Sequence, residues 1–142
     1  MLLRFGQALH VGVIGLCMMG VGCSRQPSAN TGYSPVRGKV LVNGQPAGFA
    51  AVNLIPVSGQ MPAGGMADAS GEFRLNTRGF NGAEPGEYLV TISWALPKDP
   101  SSTEPDFGPE LLPAKYQDPK QSGLKIVIDA KNNVLPPFDL KP

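Results

Sequence analysis

Residues 86–94 read Gly-Glu-Tyr-Leu-Val-Thr-Ile-Ser-Trp, and their alternation constrains the fold more than any other feature of the chain. Tyr88, Val90, Ile92 and Trp94 recur at every second position, with Glu87, Thr91 and Ser93 on the intervening ones. Side chains of an extended strand point alternately to opposite faces, so this pattern describes a strand with one buried face. A helix would scatter the same residues around its circumference.

Shorter runs of the same kind recur along the chain. Residues 36–42 place Val36, Val40 and Val42 on one face, and Asn43-Gly44 follows, two residues that tolerate positive φ and favour a hairpin turn. Residues 51–56 form a second strand, ended by Pro56, which cannot donate to a ladder. A weak strand over residues 64–67 runs into Asp68-Ala69-Ser70-Gly71, a turn in which Asp68 accepts backbone bonds and Gly71 takes positive φ. Residues 72–77 set Phe73 and Leu75 inward between polar neighbours, residues 124–129 alternate likewise, and residues 138–140 close the set.

Seven strands and no helix predict an all-β, seven-stranded sandwich over residues 36–142. The 18 glycines and 15 prolines fall in short clusters between these runs, as turns in such a domain require. The predicted core is Val40, Val42, Val52, Leu54, Phe73, Leu75, Tyr88, Val90, Ile92, Ile126, Ile128, Phe138 and Leu140. Residues 95–119 interrupt the strands with six prolines and five acidic residues against Lys98 and Lys115. A connection this long is usually functional or mobile. Its first part, residues 97–109, is expected to be mobile, and residues 111–116 to pack back on the sheet.

The amino terminus bears on location. Arg4 and the free amine precede an apolar stretch over residues 11–21, broken by three glycines. That is the layout of a secretory signal over residues 1–22, and it is short against the roughly 20 apolar residues of a membrane span. Small residues then lead into Gly22-Cys23-Ser24. This end resembles the lipobox of bacterial lipoproteins, which implies diacylglyceryl modification of the Cys23 thiol and cleavage just before it. Gly22 fits the small residue that the peptidase requires. Gly20 departs from the pattern, because an apolar residue such as Leu is usual there. The other reading is an ordinary signal peptide with an incidental cysteine.

Cysteine counting favours lipidation. Cys17 lies within the segment to be removed, so Cys23 would be alone and could form no internal disulfide. Two or three acyl chains such as palmitate, at about 0.8 kcal/mol per methylene, would hold the domain on a membrane. Residues 23–35 are small, polar and aperiodic, and read as a flexible tether.

The whole chain has 12 Lys and Arg against 11 Asp and Glu; without Arg4 the mature protein would be neutral, with no general attraction for nucleic acid. Envelope proteins and polysaccharides remain as partner classes beside the membrane itself.

Several motifs occur together in one order: Gly38-Lys39-Val40 with Asn43-Gly44-Gln45-Pro46, then Asp68-Ala69-Ser70-Gly71-Glu72-Phe73, then Pro85-Gly86-Glu87-Tyr88 with Leu89-Val90-Thr91-Ile92, then Leu112-Pro113-Ala114-Lys115-Tyr116-Gln117-Asp118-Pro119 with Ser122-Gly123-Leu124. The ordered set, spanning Val36 to Leu140 behind a lipobox-like cysteine, resembles the small transthyretin-like, carboxypeptidase-regulatory-like lipoproteins of planctomycete bacteria. The resemblance implies a prealbumin-like sandwich without catalytic residues, and a shared fold assigns no ligand.

The residues themselves offer little catalytic chemistry. The single histidine, His10, lies in the signal segment, so histidine-based triads and zinc sites are absent from the mature chain. Transthyretin-like hydroxyisourate hydrolases resemble this fold but depend on histidines. No catalytic residue, cofactor or metal is expected. Asp68-Ala69-Ser70-Gly71-Glu72 lacks the alternating ligands of an EF-hand and reads as a turn. Trp94, with Tyr116, Phe107 and Phe80, could form an aromatic platform for sugar rings; the plainer expectation has Trp94 capping the core with Tyr116 beside it.

Overall fold

The computed structural model describes residues 32–104 and 106–142. The expected signal segment, with Cys17 and His10, and Cys23 with the expected tether up to residue 31 lie outside the described residues. Within them the chain is all-β, with two sheets in a sandwich-like arrangement. The strands are β1 (Val36–Val42), β2 (Gln45–Pro46), β3 (Ala51–Pro56), β4 (Ala63–Met66), β5 (Glu72–Arg74), β6 (Asn76–Thr77), β7 (Phe80–Asn81), β8 (Gly86–Ser93), β9 (Lys125–Ile128), β10 (Asn133–Val134) and β11 (Phe138–Leu140). A single 3-10 turn covers Ala114–Gln117.

β1 is the middle strand of the smaller sheet. Its first half pairs with β5 and β10, and its second half with β2 and β11. β10 and β11 run parallel to it and are interrupted at Pro136-Pro137, where no backbone donor is available. The larger sheet has the order β7-β6-β4-β3-β8-β9. β8 lies between β3 and β9, which matches the strong alternation of its sequence.

Asn43 and Gly44 take φ of 52° and 78°, so the turn after β1 has positive φ at both central residues, as a type I′ hairpin needs. The carboxylate of Asp139 accepts the Gly44 N–H at 2.9 Å and fastens β11 to that turn. Every residue of the predicted core is buried except Ile126, which packs against the core while partly exposed. The Phe73 and Phe138 rings lie nearly parallel with centroids 6.1 Å apart, and Phe73 occupies the space that a side chain on Gly38 would need.

Four expectations are corrected. Residues 72–77 are two strands, because β5 pairs with β1 in one sheet and β6 with β4 in the other. The chain crosses between sheets at buried Leu75, and Gly65 permits the crossing: any Cβ there would overlap the Arg74 carbonyl oxygen. The short strands β2, β7 and β10 carry too few residues to show a period. Thr91, expected on the solvent face of β8, is buried, and the 3-10 turn packs against that strand. Ser34 and Pro35, placed in the tether by their composition, are bonded to Ala83 and Asn133.

Residues 96–98 pair with residues 106–108 on the exposed side of the long connection, around the bridge between Pro97 and Phe107. The Gly108 N–H donates to Leu96 O and the Lys98 N–H to Asp106 O, each at 2.8 Å. The Glu110 carboxylate then accepts the Trp94 and Leu112 amides at 2.7 and 3.0 Å, so the chain returns to where it left β8. Leu112 and Tyr116 are buried, as the apolar character of residues 111–116 predicts.

Tyr88 is fully buried, and its hydroxyl donates to Glu84 O at 2.9 Å, four residues upstream. This is the arrangement of a tyrosine corner, tying a strand to the loop that leads into it. Burial, with the Glu84 charge second, raises the phenol above its ordinary value, so it stays a donor. Tyr88→Phe is expected to lower stability by about 1–2 kcal/mol, since it orphans the carbonyl while leaving the packing intact. Urea unfolding would show this as a lower midpoint with an unchanged slope.

Candidate functional site

A concavity follows from the pairing of β1 with β5. Register places Arg37 opposite Arg74, Gly38 opposite Phe73, and Lys39 opposite Glu72. Arg37, Arg74 and Glu72 occupy the exposed positions of that alternation, with Lys39 half-buried between strands. A groove of about 930 Å³ opens along these residues. Val134, Leu135 and Pro137 also line it, as do Phe49, Met66 and Asp68. A smaller recess of about 190 Å³ shares Arg37 and Arg74 and adds Asn81 and Asn132.

Charge in the groove is unevenly matched. Lys39 faces Glu72 across the strands, whereas Arg37 faces Arg74. The ion pairs found among the described residues join Lys98 to Asp106, Lys125 to Glu87 and Lys141 to Asp139, all elsewhere. Asp68 is committed to its own turn. Its Oδ1 accepts the Ser70 hydroxyl at 2.6 Å and the Ser70 and Glu72 amides at 2.8 and 3.1 Å. The Ser70 hydroxyl, more than any other contact, holds that carboxyl below the ordinary aspartate value.

Phe49 is the unusual residue of the rim. It takes φ of 67°, a left-handed conformation that bulky side chains rarely adopt. Such strain costs on the order of 1–3 kcal/mol and concentrates at functional sites. Two bonds keep the turn in place. The Phe49 N–H donates to Ala67 O at 3.1 Å, and the Trp94 indole N–H donates to the neighbouring Gly48 O at 2.9 Å.

Trp94 is thus half-buried with its polar edge engaged, and it buttresses the Phe49 turn. Tyr116 is only 7% exposed. Its hydroxyl donates to Lys141 O at 2.9 Å and accepts the Lys141 N–H at 3.1 Å. Phe107 is half-buried opposite Pro97 in the long connection. Phe80 stacks on Tyr33 at 5.6 Å on the far edge of the larger sheet. It lies four strands from β8, roughly 19 Å at ordinary strand spacing. The four aromatic residues do not form one face.

Sequence reasoning did not find the arginine pair. Arg37 and Arg74 each look like an ordinary solvent-side residue of a strand, and only the register between two distant strands makes them neighbours. The groove offers cations, one carboxylate free of its own turn and a half-exposed ring, and the recess adds amide side chains. Those groups suit binding. No protein-family model matches the chain, and no curated protein matches it in sequence.

Proposed function

We propose that this chain is a non-catalytic lipoprotein of the cell envelope, held to a membrane by acyl chains on Cys23 and presenting a transthyretin-like sandwich as a structural or binding module. The observation that carries the reading is the lipobox-like Gly20-Val21-Gly22-Cys23 placed just ahead of a domain whose first backbone bond among the described residues is made by Ser34. Residues 23–33 between them could span up to about 35 Å if extended, enough to stand the domain clear of a bilayer surface. The strand pattern supports the finer fold. Six of the seven expected strands are present as β1, β3, β4, β8, β9 and β11, and the seventh is divided between the two sheets as β5 and β6.

A second reading is a carbohydrate-binding module using aromatic residues near Trp94. One contact favours it: the indole–Gly48 bond ties Trp94 to the turn that carries Phe49, which lines the groove.

Intact mass spectrometry of protein purified from native membranes tests the first reading. The expected species begins at Cys23 and carries acyl mass. A chain beginning elsewhere without lipid would overturn the anchored reading and leave a freely exported protein.

A further inference from the structure

Arg37 and Arg74 stand directly opposite each other on an antiparallel pair, where Cβ atoms are about 4.5–5.5 Å apart. Like charges in that position destabilise a sheet. Neither arginine belongs to any ion pair found among the described residues. The fold therefore sets two arginines on facing positions at the junction of a groove and a recess, with neither held in an ion pair by the Asp68 and Glu72 carboxylates that share the groove.

We propose that Arg37 and Arg74 receive the acidic group of an anionic saccharide chain lying along this groove, a carboxylate or a sulfate ester. The inference rests on the binding-module reading and names the ligand class. An oxyanion between the arginines reverses their repulsion, and a guanidinium matches carboxylate or sulfate with two parallel N–H donors. Asn81 and Asn132 supply amide donors and acceptors in the same recess, suited to sugar hydroxyls. Further along, Glu72 accepts from hydroxyl groups, and Phe49 offers a half-exposed ring held by its strained turn.

A saccharide fits this arrangement better than an anionic bilayer does. The groove is concave, and the carboxylates of Asp68 and Glu72 share it with the cations. A continuous sheet of negative charge would meet those carboxylates, whereas a chain with one acidic group beside neutral hydroxyls would place each group on a complementary partner.

The test is isothermal titration of the full acylated chain in detergent micelles. The probes are oligogalacturonate, a sulfated galactan oligomer, the neutral galactan oligomer, free galacturonate and phosphatidylglycerol vesicles. At least one acidic oligomer is expected to bind, with the neutral oligomer and free galacturonate at least about tenfold weaker, and affinity should fall with added salt. Arg37→Gln and Arg74→Gln should each weaken binding about tenfold, the scale of one charge-assisted contact. Arg74→Glu should abolish binding while raising the thermal midpoint, because it turns a repulsive pair into an attractive one. A purely structural arginine would not show that opposition.

Binding by neither acidic oligomer, equal binding of the neutral oligomer, or full affinity in the Arg37→Gln, Arg74→Gln double variant would each overturn the proposal. Free galacturonate binding as tightly as the oligomers would overturn the chain in favour of a single-anion site. Arginine-dependent binding to vesicles alone would reassign the pair to lipid headgroups. Failure of the anchored-module reading would show separately, as a missing acyl mass at Cys23.

Discussion

Gly65→Ala is expected to destabilise the domain by about 3 kcal/mol, at the upper end of what overpacking usually costs. The new methyl would overlap the Arg74 carbonyl oxygen, which is backbone and cannot swing aside as a flexible side chain could. Relief requires β4 to move away from the point where the chain crosses between sheets. That movement would pull Leu75, which is 1% exposed, out of its packing, and loosen the Gly64–Asn76 pairing of β4 with β6. Gly59→Ala is the matched control, since a Cβ at Gly59 meets nothing within 4 Å and its backbone needs no positive φ. There the same chemical change should be neutral or stabilise by about 0.4–1 kcal/mol through the unfolded chain. Urea midpoints of the two variants measure the difference. Equal midpoints would mean that the two sheets do not approach at Gly65 as described.

Cys23→Ser is expected to move the protein from the membrane fraction almost entirely to the soluble fraction. One acyl chain gives only marginal membrane binding, whereas two or three at about 0.8 kcal/mol per methylene make release negligible. On the proposed anchoring, the Cys23 thiol is the atom that takes the diacylglyceryl group, and serine offers no such thioether. The folded domain should be unaffected, because the core among the described residues runs from Val36 to Leu140 and Cys23 precedes it. Fractionation followed by thermal unfolding separates the two effects. A Cys23→Ser protein still bound to membranes after a high-salt wash would show that something other than acylation holds it there.

How much of this could be read from the residues follows from how far apart the determining groups lie. β8 was legible because Tyr88, Val90 and Ile92 recur at every second position of Gly86–Ser93, and all three are buried. The positions of β1 and β3 agree with expectation because Asn43-Gly44 and Pro56 mark their ends by local chemistry. The division of residues 72–77 was hidden, since Phe73 and Leu75 satisfy a period of two whether or not the chain changes sheet between them. What decides the division is Gly65, seven positions earlier, through a contact with Arg74 that no local pattern records.

The site was less legible than the fold for the same reason. Trp94 stood out as a lone tryptophan at a strand end, yet its indole N–H is taken up by Gly48 O, 46 residues away. The arginine pair depends on the register of β1 against β5, and a shift of one residue would replace the facing arginines with other partners. Charge alternation could suggest that Arg37 and Arg74 face solvent. It could not suggest that they face each other.

The central place of β1 has a mechanical consequence. β1 follows directly on the segment leading from Cys23, and it is hydrogen-bonded along both edges, to β10 and β11 on one side and to β5 and β2 on the other. Tension between a membrane anchor and a ligand held at Arg37 and Arg74 would draw this strand along its own axis. Its lateral bonds would then be loaded together in shear, where a strand peeled from an edge would lose them one at a time. Single-molecule pulling from the amino terminus against the carboxyl terminus is expected to give one high rupture force, set by withdrawal of β1. A sandwich tethered in this way resists drag through its first strand and keeps the rest of the domain out of the line of force.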